Sequence, residues 1–189
     1  VYMNKKYSVF IIAACIIYVI YHLLTLSYSP LPWFDEVSFA SMTDSYAKNH
    51  TFYEDARHLN WNGEKLMYGP IYFVLQAMIV KAFGMGMFSF RMVGLLFGLT
   101  DLYLVYRICK YFQFKPLAIV MTIVILALDL SYNQFLHSGR MDFLTLFFFF
   151  VSFLVFIKAD YAKPSYLLYA LVTGTMLGCA MPVSYTHLT

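Results

Sequence analysis

Long apolar runs alternate with short polar connectors along this chain. The first run, 8–28, is as long as a helix that crosses a bilayer core of about 30 Å. Further apolar runs follow at 88–107, 116–136, 143–157 and 165–181. The pattern therefore predicts five spanning helices, and the predicted fold is an all-α, polytopic transmembrane helix bundle.

The first run is predicted to be a retained span rather than a signal peptide. It is long for a signal peptide, and it lacks a small-residue cleavage site before Pro30. Tyr18, Tyr21 and His22 follow i, i+3, i+4 spacing, so they share one helix face. We expect that face to be turned toward protein rather than lipid.

The charged connectors predict the orientation of the bundle. Three short segments are basic: Asn4-Lys5-Lys6, 107–115 ("RICKYFQFK") and 158–163 ("KADYAK"). Short basic loops stay on the cytoplasmic side. The N-terminus is therefore expected in the cytoplasm, and the loop 29–87 and the turn 137–142 ("HSGRMD") on the extracytoplasmic face.

One further apolar stretch, 70–87 ("PIYFVLQAMIVKAFGMGM"), tests this orientation. If it crossed the membrane, either the segment 107–115 or the N-terminal lysines would move to the outside. Gln76 and Lys81 interrupt it. We therefore predict an amphipathic helix at the outer interface, within a large outer loop that contains interfacial helices.

Composition agrees with a lipid environment and excludes several classes of protein. Apolar residues make up 61% of the chain and charged residues 12%, an excess that one small soluble core cannot bury. The net charge of +3 gives no basic stripe, so no nucleic acid partner is expected. No glycine-rich nucleotide-binding loop occurs, and the three cysteines have no disulfide or metal-ligand pattern.

Candidate chemistry is concentrated in the outer loop. Asp35 and Glu36 come just after the first apolar run, behind Trp33 and Phe34. Asp35 fits the N-cap of a helix running toward Ala47, with the aromatic residues as interfacial anchors. A carboxylate at this boundary also fits a general base that takes a proton from an acceptor hydroxyl, and a cap would hold that base in place. Six of the ten acidic residues lie in this loop: Asp35, Glu36, Asp44, Glu54, Asp55 and Glu64.

The "HSGRMD" turn is the second candidate feature. Arg140 and Asp142 precede the predicted span that begins at Phe143. Arg140 fits either a headgroup anchor or one member of a functional ion pair, because ionisable residues at membrane depth are normally paired.

Three charged residues lie within predicted spans. Arg91 fits either a ligand of a lipid phosphate or a side chain that snorkels to the interface. Charged side chains are costly in this environment. Asp101 is therefore predicted to be structurally paired, and Asp129 to line a cavity.

In order and sidedness, these motifs resemble the polytopic GT-C glycosyltransferases over residues 7–181. The most similar members are the protein O-mannosyltransferase and lipid A aminoarabinose transferase branch, with bacterial relatives of the RgtA/B/C/D type. The matching motifs are Asp35-Glu36, Tyr68-Gly69-Pro70-Ile71-Tyr72, the stretch from Phe83 to Arg91, and Arg140-Met141-Asp142.

The resemblance implies an inverting transfer of a sugar from a polyprenyl-phosphate donor to an acceptor hydroxyl on the extracytoplasmic face. It implies that Asp35 is the general base, that Glu36 and Asp142 shape the site, and that Arg91 and Arg140 hold the lipid phosphate or order the carboxylates. Substrate-binding roles are also expected for Lys65, Tyr68 and His137. Some relatives carry a basic residue directly before the proline; Gly69 stands there, and Lys65 is the nearest replacement.

The family also implies the setting of the reaction. Metal dependence varies within the superfamily. If a divalent cation is used, Asp35 and Asp142 are the residues expected to bind it. The acceptor would be a glycan, a lipid or a protein, the other partners would be membrane lipids, and the location would be a bacterial inner membrane.

Family members continue through more spans, so residues 1–181 are expected to be the N-terminal part of such a transferase and inactive on their own. The segment 182–189 ("PVSYTHLT") does not continue the pattern and is predicted to be a non-native tail. The alternative is a non-enzymatic polytopic membrane protein, a transporter or flippase component. That class favours broken helices and repeat symmetry, whereas this sequence gathers acids in an outer loop and shows no repeat.

Overall fold

A computed structural model of the chain describes residues 5–53, 69–160, 162–163 and 166–183. Regular secondary structure in these residues is entirely helical, which confirms the predicted all-α class. Eight helices occur in the described part of the chain: α1 (Lys5–Thr25), α2 (Phe34–Asn49), α3 (Pro70–Phe83), α4 (Met87–Tyr111), α5 (Pro116–Leu128), α6 (Leu130–Leu136), α7 (Asp142–Ile157) and α8 (Tyr166–Val183).

Most of the predicted helix positions agree with the structure. Helices α1, α4, α7 and α8 occupy four of the five apolar runs, and α3 occupies the stretch that was predicted to be interfacial. Helix α3 begins at Pro70, as expected for a residue whose missing N–H would have no partner in the first turn. Helix α4 continues to Tyr111, into the basic segment 107–115.

The remaining apolar run, 116–136, was predicted to be one span, and in the structure it is divided into two helices. It forms α5 and α6, which are bent by 64° at a break. Asp129 lies at this break and caps α6, because its Oδ1 accepts a hydrogen bond of 2.7 Å from the backbone N–H of Tyr132. This aspartate therefore ends one helix and begins the next, instead of lining a cavity as predicted.

Helix α4 is long and apolar enough to cross a bilayer, with 25 residues. The bent pair α5–α6 passes the same test if it is counted as one span. The described apolar parts of α1, α3, α7 and α8 are shorter, between 10 and 17 residues.

Helix α4 is the central element of the bundle. It packs against α3, α5, α6 and α7, while α2 packs on α3 and α8 packs on α7. Two clusters of buried residues form the core on either side of α4. The first contains Phe39, Met42, Tyr72, Phe73, Phe90, Val93, Met141 and Leu144, and the second contains Leu26, Leu95, Leu136 and Phe143.

Two glycines of α4 allow the end of α6 and the segment after it to approach closely. A Cβ on Gly94 would lie 2.7 Å from the carbonyl oxygen of Ser138. A Cβ on Gly98 would overlap the side chain of Leu136. These contacts fix the position of residues 137–141, which we call the Arg140 turn, against the N-terminal half of α4.

Candidate functional site

Arg140 joins two aspartates that are distant in sequence. Its Nε donates to Asp142 Oδ2 at 2.9 Å, and its Nη1 lies 3.5 Å from Asp35 Oδ2. About a third of each of the Asp35 and Arg140 side chains is exposed. The structure thus brings together, at one accessible place, the acid after the first apolar run and the arginine and acid of the "HSGRMD" turn.

The N-termini of two helices meet at this cluster. Asp35 lies in the first turn of α2, and Asp142 lies in the first turn of α7. The positive end of a helix dipole favours negative charge. The two carboxylates are therefore stabilised by their helices as well as by Arg140, whose guanidinium also lies 5.8 Å from the centre of the Phe135 ring.

Arg140 binds its two partners unequally. The contact to Asp142 is short and of ordinary hydrogen-bond length, whereas the contact to Asp35 is at the long limit. Asp142 is therefore the main partner of Arg140. Asp35 is the carboxylate that Arg140 holds more loosely.

Glu36 has a different environment from its neighbour Asp35. It is 2% exposed, and Arg91, which is fully buried, binds it through two nitrogens: Nε to Oε1 and Nη2 to Oε2, each at 3.0 Å. Its Oε1 also accepts the backbone N–H of Gly139. Glu36 therefore connects α2, α4 and the Arg140 turn from inside the protein.

Glu36 is also the capping acid of α2. The N-cap residue is Trp33, and its backbone N–H donates to Glu36 Oε2 at 2.8 Å. This contact is the reciprocal half of a capping box, in which the third helical residue reaches back to the N-cap. The prediction that Asp35 is the N-cap is therefore wrong, because Asp35 is the second residue of the helix.

Arg91 was expected to hold a lipid phosphate or to order the carboxylates, and its contacts are of the second kind. Beyond Glu36, its Nη1 donates to the carbonyl of Leu26 at 3.1 Å, and its Nη2 donates to the carbonyl of Pro30 at 2.9 Å. The guanidinium is fully buried and donates four hydrogen bonds to internal acceptors. A direct phosphate contact would require it to leave these partners.

His137 was predicted to bind substrate, and the structure turns it inward. Its side chain is 5% exposed, and its Nδ1 lies 2.7 Å from the carbonyl oxygen of Ser29. Burial lowers the pKa of His137; the Ser29 carbonyl opposes this shift, and the positive charge of Arg91 adds to it. A neutral ring with internal partners holds the Arg140 turn in place.

Two other predicted substrate-binding residues, Lys65 and Tyr68, lie outside the described residues, as do the loop acids Glu54, Asp55 and Glu64. Their roles stay predictions. Asp44 is described and pairs with Lys48 on the exposed side of α2, at 2.6 Å.

Arg140 contacts both Asp35 and Asp142, the two carboxylates that were expected to hold any divalent cation. In the part of the chain that the structure describes, no three or more His, Cys, Asp or Glu side chains are grouped so that they could hold a metal ion. The guanidinium of Arg140 contacts both carboxylates, and it would repel a second cation there.

Sequence reasoning missed a buried polar network below the cluster. Gln76 is fully buried; its Oε1 accepts from the Thr43 hydroxyl, and its Nε2 donates to Tyr72 Oη at 2.8 Å and to the Phe90 carbonyl at 2.7 Å. These bonds connect α2, α3 and α4 with every polar atom of the amide used. A glutamine within an apolar stretch was the available signal, since such a residue normally faces protein.

Asp101 was predicted to be structurally paired, and that pairing is not found. The side chain is 1% exposed, and neither carboxylate oxygen has a hydrogen-bond partner among the described residues. A buried acid without a partner is costly and calls for an explanation.

An apolar groove of about 290 Å³ lies between α3 and α4 and is separate from the Asp35–Arg140–Asp142 cluster. It shares Val93 with the first core cluster, which includes Met141 of the Arg140 turn. Its lining is formed by Leu75, Met78, Ile79, Val93, Leu96, Phe97 and Thr100.

Comparison of the chain with protein-family models, curated proteins and solved structures gave no match.

Proposed function

We propose that this chain is part of a membrane glycosyltransferase that moves a sugar from a polyprenyl-phosphate donor to an acceptor hydroxyl on the extracytoplasmic face. The observation that carries the proposal is the convergence of Asp35 and Asp142 on the half-buried Arg140. A candidate base, a second acid and a cation meet at the N-terminal ends of two helices, where negative charge is favoured.

The membrane setting is supported by apolar side chains that are exposed among the described residues. Helix α5 is apolar apart from Thr122, and none of its side chains is fully buried. Trp33 and Phe34, next to the candidate base, are 58% and 67% exposed. Such surfaces suit lipid contact, with the two aromatic rings at the headgroup level.

In the proposed reaction, Asp35 takes the proton of the acceptor hydroxyl as the oxygen attacks the anomeric carbon. The bond from that carbon to the phosphate oxygen breaks on the opposite face, so the configuration inverts. Polyprenyl phosphate leaves with the electron pair, and Arg140 neutralises part of the charge on the phosphate. Asp142 orients the Arg140 guanidinium.

Glu36 and Arg91 contribute by rigidity rather than by contact with substrate. A buried, bidentate ion pair that also binds the Gly139 amide keeps α2 and the Arg140 turn at a fixed distance. Fixed geometry matters because a small misplacement of reacting groups lowers the rate strongly.

The test, like every transfer assay of the variants, uses the purified full-length gene product with a polyprenyl-phosphate sugar and a panel of hydroxyl acceptors. We expect transfer with inversion at the anomeric carbon, and no transfer from a nucleotide sugar. Retention of configuration, or transfer from the nucleotide sugar alone, would contradict the proposal.

A second candidate function, transport of a lipid or solute, is favoured by two observations. Asp101 is a buried acid without a hydrogen-bond partner among the described residues. Helices α5 and α6 are bent by 64° relative to each other at the break between them. Ionisable groups and broken helices within the membrane mark transport pathways. Substrate movement that requires Asp101 and is unaffected by Asp35→Asn would favour this candidate over transfer.

A further inference from the structure

Two buried histidines connect α1 to the Arg140 turn. The Nδ1 of His22 lies 2.6 Å from the Nε2 of His137, and the two rings are nearly perpendicular, at 86°. The side chains are 1% and 5% exposed. This contact joins a residue of the first helix to the first residue of the turn that carries Arg140.

The partner of His137 on its other side determines which atoms carry protons. A backbone carbonyl only accepts, so the His137 Nδ1 that contacts the Ser29 carbonyl must carry a hydrogen. In the neutral ring, the Nε2 of His137 then has a lone pair and accepts from the Nδ1–H of His22. The Nε2 of His22 remains as an acceptor, and it has no partner among the described residues.

Two tyrosine rings of α1 pack against the His22 ring. The ring centre of His22 lies 4.2 Å from that of Tyr18 and 5.2 Å from that of Tyr21, and both contacts are edge-on. Both tyrosines belong to α1. The Tyr18 hydroxyl donates to Asn133 Oδ1 of α6 at 3.0 Å. The face of α1 that carries Tyr18 and His22 is therefore bound to the end of α6 and to the residue that follows it.

The Arg140 turn is thus held from two directions. On one side His22 donates to His137, and on the other side the Gly139 amide donates to Glu36. Arg140 follows these two anchored residues and reaches Asp35 and Asp142. A shift of His137 would move the guanidinium relative to both carboxylates.

We propose that His22 is a positioning residue of the Asp35–Arg140–Asp142 site, acting through a hydrogen-bond chain from His22 to His137 to Ser29. As a statement about catalysis, this rests on the proposed function. The claim that His22 holds the Arg140 turn in place depends only on the His22–His137 and His137–Ser29 contacts.

Hydrogen exchange of the turn tests the chain without any assay of activity. We compare His22→Leu, which removes the donor, with His22→Asn, whose amide can donate from near the Nδ1 position. His22→Leu should speed exchange of the peptide covering 137–141 about tenfold, since it leaves the Nε2 of His137 buried without its donor. His22→Asn should stay close to wild type.

The control for these variants is His50→Asn. His50 is the C-cap of α2 with φ of 57°, a conformation that asparagine tolerates, and it lies away from the turn. It should leave exchange at 137–141 unchanged. If His22→Leu exchanges at the wild-type rate, or if His22→Asn is as fast as His22→Leu, the positioning role is wrong.

Nitrogen NMR of the histidine rings tests the proton assignment directly. Both His22 and His137 should be Nδ1–H tautomers at neutral pH, although the Nε2–H form is the commoner one for a free imidazole in water. A protonated Nε2 on neutral His137 would overturn the chain.

Sugar transfer then separates this inference from the proposed function. If wild type transfers sugar, His22→Leu should lose at least about tenfold in rate per folded protein, with rescue by His22→Asn. An unchanged rate in His22→Leu would overturn the positioning role. If wild type transfers no sugar from any polyprenyl-phosphate donor, the proposed function fails, and the exchange and NMR results decide the hydrogen-bond chain by themselves.

Discussion

Asp35 and Glu36 are neighbours in the chain, yet their side chains lie in different environments and bind different partners. Glu36 is buried in an ion pair with Arg91 and connects α2, α4 and the Arg140 turn. Asp35 is about one-third exposed and lies at the edge of the Arg140 contact. The division follows from helix geometry, because adjacent residues of α2 point in directions about 100° apart.

The buried pair gives a prediction about stability. Removing one charge, in Glu36→Gln or Arg91→Met, leaves the partner buried and uncompensated, so each change should cost about 3–5 kcal/mol. The double variant Glu36→Gln with Arg91→Met should cost clearly less than the sum of the two single changes. The free energy of unfolding in detergent micelles, measured for the two single variants and the double variant, tests this prediction.

The matched control is the exposed pair of Asp44 and Lys48, whose side chains are 33% and 67% exposed. Asp44→Asn should change unfolding little, because surface ion pairs contribute little. Strictly additive losses at Glu36 and Arg91 would contradict the account of a coupled buried pair.

His137 makes stability depend on pH. Its pKa is lowered in the folded state by burial, against the opposing bond to Ser29, with a further contribution from Arg91. The unfolded chain therefore binds more protons than the folded one below about pH 6.5, the ordinary pKa of histidine. This contribution to stability is fully present above that pH and is lost as the pH falls.

Thermal unfolding between about pH 7.5 and pH 5 measures this dependence, with the window set by the ordinary histidine pKa. His137→Asn should flatten the pH dependence, whereas His50→Asn should leave it as in wild type. A wild-type unfolding temperature that rises as the pH falls through this window would show that the sign is wrong.

Part of the site was predictable at this scale, and part was not. The sequence pattern singled out Asp35, Arg140 and Asp142 because acids and arginines are conspicuous beside apolar runs. It assigned the N-cap to Asp35, since the sequence alone does not tell which of two adjacent acids turns back on the helix start. The bond from the Gly139 amide to Glu36 had no sequence signal, because it depends on a close approach that only the packing of α4 creates.

At the scale of elements, close packing positions the Arg140 turn against α4. Gly94 and Gly98 lie one turn apart on α4, and both face the segment 135–143. The break at Asp129 is part of the same arrangement, since it turns α6 so that its end reaches α4 and α1. Apolar periodicity placed the helices well, but a single capping acid within an apolar run was too weak a signal to predict the bend.

Gly94→Ala tests this packing. The added Cβ would lie 2.7 Å from the backbone carbonyl of Ser138, so the turn must shift. Overpacking of this kind should cost about 1–3 kcal/mol, and transfer should fall with it. Gly174→Ala in α8 is the control, because no atom lies within 4 Å of its added Cβ.

Gly174→Ala should be neutral or slightly stabilising, since alanine favours a helix over glycine by up to about 1 kcal/mol. Unfolding and transfer, measured together for both variants, provide the comparison. Equal behaviour of Gly94→Ala and Gly174→Ala would contradict the packing account.

At the scale of the whole molecule, the proposed arrangement in a membrane makes a prediction about sidedness. If the basic segments are cytoplasmic, the cluster at Asp35 and Arg140 and the connector after α7 lie on opposite sides. Single cysteines at Tyr53 and Ala162, in a background with Cys15, Cys109 and Cys179 replaced by serine, report on these two places.

In intact cells, a membrane-impermeant maleimide should label Tyr53→Cys and leave Ala162→Cys unlabelled until the cells are opened. Labelling of both positions in intact cells, or of Ala162→Cys alone, would contradict the orientation. The predicted orientation rests on the composition and the charge pattern of the sequence.

The central claim is that Asp35 is the general base, and the most direct measurement is the transfer rate of Asp35→Asn beside Asp44→Asn. Both changes remove one carboxylate from α2 while keeping its shape, and only Asp35 lies at the Arg140 contact. With a polyprenyl-phosphate sugar donor, Asp35→Asn should lose at least about a hundredfold in rate, the lower end of what general base catalysis contributes. Asp44→Asn should retain the wild-type rate. An Asp35→Asn protein that is folded and transfers sugar as fast as wild type would contradict the claim.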